Sequence, residues 1–215
     1  MGLNYQTVTD SLRQSLSWLM ERSEFSEFRL VGGTSMSLQV GHRQSDDIDL
    51  FTDANYESID FKRLDALLKT EFKIVEGDIQ DSIGFGTSYF IGDSKEDLVK
   101  LDLFYTKPFV YDPIIEDGIR MTGLNEIGAM KLQVIGTSGR KKDYWDLHEL
   151  LNFYSMDELL DFHHKRYPYE HAREKLILDI GDFQAAENDP TPNCHRGKFW
   201  EMIKQDILHE IEGLL

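Results

Sequence analysis

The most constraining feature of the sequence lies between residues 30 and 52, in the segment LVGGTSMSLQVGHRQSDDIDLFT. Two glycines follow an apolar pair, and after a spacer of thirteen residues Asp47 and Asp49 stand one residue apart within a second apolar run. The alternation with Ile48 and Leu50 predicts a β-strand, in which residues i and i+2 share one face. An acidic face on such a strand is energetically costly, because like charges repel one another and carboxylates lose hydration when they are partly buried.

Two carboxylates on one strand face can share a hard cation. Their Cα atoms would lie about 6.6 Å apart, a spacing from which both side chains can converge on one ion. Mg²⁺ takes oxygen ligands and keeps coordination positions open for substrate phosphates. The alternative is a solvated edge strand protected by acidic residues, and an Asp-x-Asp pattern alone does not decide between the two.

A third carboxylate follows in a later apolar run. Asp102 stands between Leu101 and Leu103 in the segment VKLDLF, which predicts another strand. In two-metal phosphoryl transfer such a residue would complete the metal site or accept the proton of the incoming hydroxyl. An outward-facing residue of an alternating strand is the alternative. Lys100 would share the face of Asp102, where it would pair with that carboxylate or contact phosphate.

The residues around the two glycines are predicted to bind an anion. Gly32, Gly33, Thr34 and Ser35 lie between a predicted strand and a helix predicted over residues 34–40. Glycine lets the backbone approach a ligand closely, and free N–H groups at a helix start favour phosphate. The alternative is an ordinary strand-to-helix turn in which Thr34 or Ser35 is the N-cap. A phosphate-binding turn followed by a metal-binding strand is the combination that a nucleoside triphosphate (NTP) requires.

Composition limits the classes of protein that remain. The 215-residue chain is 40% hydrophobic, which suits one large globular domain or two small ones. Its single cysteine, Cys194, excludes an intrachain disulfide and favours a reducing compartment. Without an apolar run of about 18 residues, no membrane span is expected, and we expect a cytoplasmic protein. The net charge of −16 argues against a large nucleic-acid footprint.

The distribution of periodicity divides the chain into a mixed part and a helical part. Strands are predicted at residues 28–31, 47–51, 72–76, 83–91 and 98–105, and helices at 3–22, 34–40 and 60–70. Five further helices are predicted at residues 124–135, 143–154, 157–167, 170–180 and 199–214. We therefore predict an α+β fold, with a mixed sheet and flanking helices in residues 1–122 and a helical domain in residues 123–215.

These motifs resemble known enzymes. The order of an apolar residue, Gly32-Gly33, thirteen residues and Asp-apolar-Asp-apolar is similar to the DNA polymerase β nucleotidyltransferase superfamily. The Leu-Asp-Leu segment around Asp102 resembles the third carboxylate of that superfamily. The resemblance implies that the N-terminal part is a polymerase β-like nucleotidyltransferase core.

A narrower resemblance is to the AbiEii/AbiGii-type nucleotidyltransferase toxins. These read close to Gly-Gly-Thr-Ala-Leu and then Arg-x-Ser-x-Asp-x-Asp-Phe, and Arg43, Ser45, Asp47 and Asp49 occupy those positions. Lys131 and the segment RKKDYWDL at residues 140–147 are similar to the Lys and Arg-x-Lys-Asp-x-x-Asp-Leu segments of that family. The resemblance covers roughly residues 28–165 and is most specific over residues 31–51.

The resemblance also implies roles for residues outside the acid strand. Lys131 would lie near the triphosphate, and Asp143 would belong to a second catalytic motif, where it would orient Lys131 or a substrate hydroxyl. A solvated helix residue and a helix N-cap are the respective alternatives. Arg43 would contact a phosphate or hold the strand of Asp47. Asp146 has the position of a capping or salt-bridge partner.

The expected reaction is transfer of a nucleoside monophosphate from an NTP to a hydroxyl, with Mg²⁺ or Mn²⁺ as cofactor. The family resemblance implies the toxin component of a bacterial toxin–antitoxin or phage-defence system, with tRNA as a possible acceptor and an antitoxin as a possible partner. The acidic composition leaves a small-molecule acceptor, such as an aminoglycoside, as an alternative. A catalytically inactive partner-binding protein is the third hypothesis.

Overall fold

A computed structural model of the chain describes residues 2–77 and 84–214. The chain forms two compact units, one made of Met1–Val40 and Ser45–Thr122 and the other of Gly41–Gln44 and Gly123–Leu215. The first unit contains a seven-stranded sheet, and the second is built from helices. This mixed sheet with flanking helices, followed by C-terminal helices, confirms the predicted fold class.

The sheet of the first unit is short-stranded and mixed. Its strands are β1 (Arg29–Leu30), β2 (Asp47–Thr52), β3 (Ile74–Glu76), β4 (Gly86–Gly92), β5 (Val99–Tyr105), β6 (Ile114–Glu116) and β7 (Ile119–Met121). They are arranged in the order β3-β4-β5-β2-β1-β7-β6. β2 runs parallel to β5 and antiparallel to β1, and β4 runs antiparallel to β5. The three longest strands are therefore direct neighbours, in the order β4-β5-β2.

The alternation along the central strands gives the sheet two different faces. On β2, Ile48 and Leu50 are fully buried, whereas Asp47 and Asp49 are partly exposed. The buried side chains of β2, β4 and β5 join one apolar cluster, to which two flanking helices contribute several residues. These helices are α1 (Asp10–Glu21) and α3 (Phe61–Glu71), each capped by a side chain that accepts from the first turn. One sheet face therefore forms the core, and the other carries the acidic side chains.

The helix α2 (Gly32–Val40) starts two residues earlier than the sequence predicted, since both glycines belong to its first turn. Gly32 has φ +68°, a conformation that glycine adopts without the strain of a side chain. The helix ends at Gly41, which has φ +72°, as expected for a glycine at the C′ position. Only nine residues of chain, 31–39, therefore separate the end of β1 from the last residue of α2.

The second unit confirms the five predicted helices with small shifts in their ends. They are α4 (Leu124–Ser138), α5 (Lys141–Leu150), α6 (Met156–Arg166), α7 (Arg173–Ile180) and α8 (Trp200–Ile211). Ser155 and Glu158 form a capping box at the start of α6. Trp145 of α5 stacks on Trp200 of α8, with ring centroids 5.8 Å apart.

Two parts of the sheet differ from the prediction. The hairpin of β6 and β7 was not predicted, because each strand has only three residues and gives almost no periodic signal. The strand predicted at 83–91 is observed from Gly86, and its first position, Ile83, lies outside the described residues. Within residues 2–77 and 84–214, the structure contains no helix whose length and apolar character would let it cross a membrane.

Candidate active site

Three acidic residues of the first unit lie on one face of its sheet. Pairing between β2 and β5 sets Asp49 opposite Asp102 and Asp47 opposite Lys100. Neighbouring strands lie about 4.8 Å apart, and directly paired residues point to the same face. Asp47, Asp49, Asp102 and Lys100 therefore share a partly exposed surface, which we call the acid face. The three carboxylates that the sequence singled out are brought onto one surface by strand register.

Lys100 supplies the cation closest to Asp102 on the acid face. Its Nζ lies 2.5 Å from Asp102 Oδ2. Partial burial lowers the pKa of Lys100, but the hydrogen bond to Asp102 and the charges of Asp102, Asp47 and Asp49 outweigh this and raise the pKa above its ordinary value. The charge of Lys100 is therefore maintained by the same carboxylates that were predicted to hold a metal ion.

The second oxygen of Asp102 is incompletely satisfied. Asp102 Oδ1 is buried and has no hydrogen-bond partner among the described residues. A buried acceptor without a donor costs about 1–3 kcal/mol, so such an atom is retained only where something else satisfies it. A cation ligand role would provide that satisfaction.

Gly32 is fitted closely against Asp49. A Cβ atom built on Gly32 would lie 2.7 Å from Asp49 Oδ2, which is closer than real Cβ atoms approach an oxygen. The backbone N–H of Val31 also donates to the carbonyl of Asp49, with N and O 2.9 Å apart. The start of α2 is thus placed directly beside a carboxylate of the acid face, and only glycine leaves room for it.

Thr34 and Ser35 use their hydroxyl groups inside the first unit. Both residues are fully buried. Thr34 Oγ1 lies 2.9 Å from Ser45 Oγ and also donates a short hydrogen bond to the carbonyl of Asp47. Ser35 Oγ donates to the carbonyl of Thr122 over 3.1 Å. These hydroxyls fix α2 against β2 and β7, so any contact with a nucleotide would come from the backbone of this turn.

The second unit brings the remaining predicted residues into a buried ion-pair network. Lys131 of α4 is 7% exposed, and its Nζ lies 2.7 Å from Asp143 Oδ1 and 2.6 Å from Asp146 Oδ2. Asp143 and Asp146 lie three residues apart on α5, so both reach the same side of that helix. Asp143 Oδ2 also accepts from the N–H of Arg140 at the start of α5. The expected contact between Asp143 and Lys131 is present.

Asp146 is the centre of this network. Arg43 binds it in a bidentate manner, with Nε 2.6 Å from Oδ1 and Nη2 2.8 Å from Oδ2. His42 Nε2 lies 2.7 Å from the same Oδ1. Asp146 was predicted to be a capping or salt-bridge partner, and the structure confirms the salt-bridge role. Arg43, which was expected to contact phosphate or hold the strand of Asp47, has its guanidinium engaged by Asp146 within the second unit.

Electrostatics within the network favour the charged forms. Burial alone would raise the pKa of Asp146, but Arg43 and Lys131 hold it well below its ordinary value. Burial likewise acts to raise the pKa of Asp143, but the charge and hydrogen bond of Lys131 outweigh burial and lower that pKa. Burial acts to lower the pKa of Lys131, but the charges of Asp146 and Asp143 outweigh burial and raise that pKa above its ordinary value. Two carboxylates are therefore matched by two cations that are always charged near neutral pH.

The acid face offers oxygen ligands for a divalent cation, although the side chains are not gathered around one. Within residues 2–77 and 84–214, no group of three or more His, Cys, Asp or Glu side chains stands in a metal-holding arrangement. In the face itself, the ammonium of Lys100 lies on Asp102, and Asp102 Oδ1 is an orphaned buried acceptor. Carboxylate oxygens are ligands of the kind that Mg²⁺ takes, together with substrate phosphates and water. The oxygen donors of these residues and their position on one face of the sheet are compatible with a divalent cation.

Sequence reasoning missed two residues of β4 on the same surface. Ser88 pairs with Asp102, and Phe90 pairs with Lys100 across the β4–β5 ladder. Both are exposed, Phe90 to 46%. An exposed aromatic ring can stack on a nucleobase. The alternation of β4 was visible in the sequence, but the register that puts these residues beside the acids was not.

The fold and the acid face together define the class of protein. Two solved nucleotidyltransferase structures share this fold over nearly the whole chain. MenT4, a nucleotidyltransferase toxin from Mycobacterium tuberculosis H37Rv, aligns with a TM-score of 0.61 at 14% identity, covering 95% of this chain and 83% of that one. A Helicobacter pylori protein assigned as a nucleotidyltransferase aligns with a TM-score of 0.58 at 20% identity, covering 94% and 90%. The chain has a nucleotidyltransferase fold.

The family follows from the sequence match. The family described as "Nucleotidyl transferase AbiEii toxin, Type IV TA system" matches residues 16–212. The chain belongs to this AbiEii nucleotidyltransferase family, and it is a nucleotidyltransferase. It is also similar to the uncharacterized protein aq_aa25 of Aquifex aeolicus strain VF5, with 29% identity over 189 residues that cover 78% of this chain and 86% of the relative.

Proposed function

We propose that the protein transfers a nucleoside monophosphate from an NTP to a hydroxyl acceptor at the acid face. The observation that carries this proposal is the register of β2 against β5, which sets Asp49 opposite Asp102 with Asp47 on the same face. The placement of Gly32 against Asp49 supports it, because the helix start that would bind phosphate lies beside the carboxylates.

Each residue of the face has a role in this reaction. Asp47, Asp49 and Asp102 would hold Mg²⁺ or Mn²⁺. When bound, the cation would supply charge stabilisation for the phosphates and acidify the attacking hydroxyl. Gly32 and Gly33 would let a phosphate approach the first turn of α2, whose N–H groups lack acceptors within the helix. The reaction forms a bond from the acceptor oxygen to the α-phosphorus, breaks the bond from the α-phosphorus to the oxygen that bridges to the β-phosphate, and releases pyrophosphate and the proton of the acceptor hydroxyl.

Buried hydroxyl groups hold this arrangement in place. Thr34 connects α2 to the backbone of Asp47 through its hydrogen bond to that carbonyl. Ser35 fixes the same helix to the residue after β7 through the carbonyl of Thr122. We propose that both act through position, by setting the distance between the glycine turn and the acid strand.

In the second unit, we propose that Lys131 and Asp143 act as a pair. Asp143 holds the Lys131 ammonium at 2.7 Å, and a contact with triphosphate would require this ammonium to exchange a carboxylate for a phosphate. Asp146 would support the pair through its own contact with Lys131, and Arg43 would hold Asp146 in place. A positively charged side chain near the leaving pyrophosphate would stabilise the charge that develops there.

The proposed biological setting is a bacterial toxin–antitoxin system. The family description names a toxin of a type IV system, and MenT4 is described as a nucleotidyltransferase toxin. We propose an NTP as donor, tRNA as the first acceptor to test, and a cognate antitoxin as the partner that limits the activity.

A transfer assay tests the reaction directly. The protein is incubated with each α-labelled NTP, Mg²⁺ or Mn²⁺, and total tRNA, and the label on tRNA is measured. Wild type should label the acceptor, and Asp49→Asn should lower the rate by about 100-fold or more. Asp112→Asn, the same change at an exposed aspartate, is the matched control and should retain the rate. Equal labelling by Asp49→Asn and wild type would refute the proposed site.

A cationic small molecule is the second candidate acceptor. The net charge of −16 favours it, because an acidic surface attracts polycations such as aminoglycosides and repels RNA. The same assay with an aminoglycoside panel in place of tRNA separates the two candidates. Labelled aminoglycoside without labelled tRNA would replace the first acceptor and leave the chemistry of the acid face unchanged.

A further inference from the structure

The strand β4 extends the acid face beyond Asp102. β4 lies beside β5 on the side away from β2, and its two exposed positions are Ser88 and Phe90. Ser88 is directly paired with Asp102, and Phe90 is paired with Lys100, so both point to the side of the acids. Phe90 is a diagonal neighbour of Asp102, a spacing of about 7–8 Å that an aromatic side chain can reach across.

The order of residues across the face gives the proposed reaction a direction. From β1 to β4, the sheet presents the glycine turn that follows β1, then Asp49, Asp102 and Ser88. In the proposed reaction, the leaving pyrophosphate lies at the glycine turn. The attacking and leaving oxygens of an in-line displacement lie on opposite sides of the phosphorus. The acceptor hydroxyl therefore enters from the side of Asp102 and β4.

We infer that Phe90 is a binding residue for the acceptor, and that the base of the accepting nucleotide of an RNA stacks on its ring. This inference rests on the proposed function and selects RNA as the class of acceptor. Phe90 is 46% exposed, and none of the described residues makes an aromatic ring contact with it. The other exposed ring close by in sequence, Phe85, packs on Tyr56 with ring centroids 5.7 Å apart.

Stacking is an interaction that suits this acidic surface. The neighbour of Phe90 on β3 is Glu76, which is exposed, and a phosphate beside such a carboxylate would be repelled. Stacking uses the π-face of a base and requires no opposite charge on the protein. The sugar rings of an aminoglycoside present no planar π-face, so the position of Phe90 favours RNA over that polycation.

The transfer assay tests this role by measuring KM separately for tRNA and for the NTP. Phe90→Ala should raise KM for tRNA about tenfold, the scale of one lost base stack, and should leave KM for the NTP unchanged. Phe90→Tyr keeps the ring and should retain both values. Phe90→Leu keeps an apolar side chain without the ring, and it should behave as Phe90→Ala does. Phe153→Ala removes a similarly exposed ring from the second unit and is the matched control, with both KM values retained.

A modified acceptor provides a second readout that identifies the contact. The shortest RNA that wild type labels is compared with the same RNA carrying an abasic residue at the accepting nucleotide. Loss of the base should raise KM about tenfold for wild type and for Phe90→Tyr. It should add little for Phe90→Leu, because the two changes remove the same interaction and are therefore not additive.

The possible failures are distinguishable. An unchanged KM for tRNA in Phe90→Leu, a rise confined to KM for the NTP, or a full abasic effect in Phe90→Leu overturns the stacking role. In each case the proposed function stands as long as Asp49→Asn is inactive. Labelling of aminoglycosides without labelling of RNA has the same meaning. Absence of any labelled acceptor with wild type overturns the proposed function together with this inference.

Discussion

The two acidic centres of the molecule, one in each unit, are balanced in opposite ways. In the second unit, Asp143 and Asp146 are buried and matched by Lys131 and Arg43 at distances of 2.6–2.7 Å. On the acid face of the first unit, Asp102 binds the ammonium of Lys100 through Oδ2, and its buried Oδ1 has no hydrogen-bond partner among the described residues. Both carboxylates of the buried network are paired with cations, whereas one buried carboxylate oxygen of the acid face lacks a hydrogen-bond donor among the described residues.

This difference indicates what each set of acids does. A buried charge must be paired, because the loss of hydration is otherwise too costly, so the network of the second unit is required for the fold to persist. A partly exposed face has no such requirement, and evolution could replace its acids with polar residues at little cost in stability. The unsatisfied buried oxygen of Asp102 on this face is consistent with the proposed binding of a cation.

The largest expected effect is on the free energy of unfolding, which should respond differently to a substitution in each acidic centre. Asp146→Asn should reduce the free energy of unfolding by about 3–5 kcal/mol, because it leaves buried cations without their partner. Asp49→Asn should change it by less than about 1 kcal/mol, since the residue is partly exposed and its removal reduces repulsion. Urea denaturation followed by circular dichroism measures both. Equal destabilisation by the two variants would remove the contrast between the centres.

The next effect concerns the contact between Gly32 and the acid face. Gly32→Ala and Gly118→Ala both place alanine at a positive φ, +68° and +77°, and each should lose about 1–2 kcal/mol from the backbone alone. Only at Gly32 would the new Cβ meet a carboxylate oxygen, whereas nothing lies within 4 Å of a Cβ at Gly118. Gly32→Ala should therefore lose more stability and also most of the transfer rate, whereas Gly118→Ala should retain its rate. Equal rates in the two variants would show that the fit against Asp49 is unimportant.

A smaller effect is expected for the hydroxyl that connects α2 to β2. Thr34→Val should reduce the free energy of unfolding by about 1 kcal/mol, because Ser45 and the carbonyl of Asp47 lose a buried hydrogen-bond partner. It should also lower the transfer rate with little change in KM, since it displaces the acid strand. Thr34→Ser keeps the hydroxyl and should recover most of the rate. A Thr34→Ser variant as slow as Thr34→Val would assign the effect to the lost methyl group.

The smallest expected effect near neutral pH is the pH dependence of the free energy of unfolding. The pKa values of Asp146 and Asp143 are lowered in the folded protein, so their ion pairs contribute stability above the ordinary value of 3.8, and that contribution is lost as the pH falls through the lower folded values. The difference in unfolding free energy between wild type and Asp146→Asn should therefore be constant from pH 7 to pH 5 and shrink below about pH 4. A difference that already shrinks at pH 6 would contradict the assigned pKa direction.

Local patterns in the sequence were sufficient for most of the fold. Alternation gave β2 and β5, and helical periodicity gave α4 to α8, because each of these segments has one apolar face that must be buried. The three-residue strands β6 and β7 carry too little pattern and are formed by tertiary pairing. The start of α2 at Gly32 was missed because glycine gives no helical signal of its own.

The candidate site was predictable as a set of residues and less so as an arrangement. The resemblance selected Asp47, Asp49, Asp102, Lys131 and Asp143, but strand register and helix packing decide which of them meet. Asp146 ranked low in the sequence, yet it binds two cations in the second unit. Ser88 and Phe90 have no motif at all, and only the β4–β5 ladder brings them to the acid face.

The measurement that tests the central claim most directly is a Mn²⁺ titration followed by electron paramagnetic resonance, with a non-hydrolysable NTP analogue present. Wild type and Asp112→Asn should bind Mn²⁺ equally. Asp47→Asn, Asp49→Asn and Asp102→Asn should each weaken binding by about tenfold or more, as expected when a metal site loses a carboxylate that it uses. Mn²⁺ binding that is unchanged in all three variants would contradict the claim that the acids of the open face hold a cation.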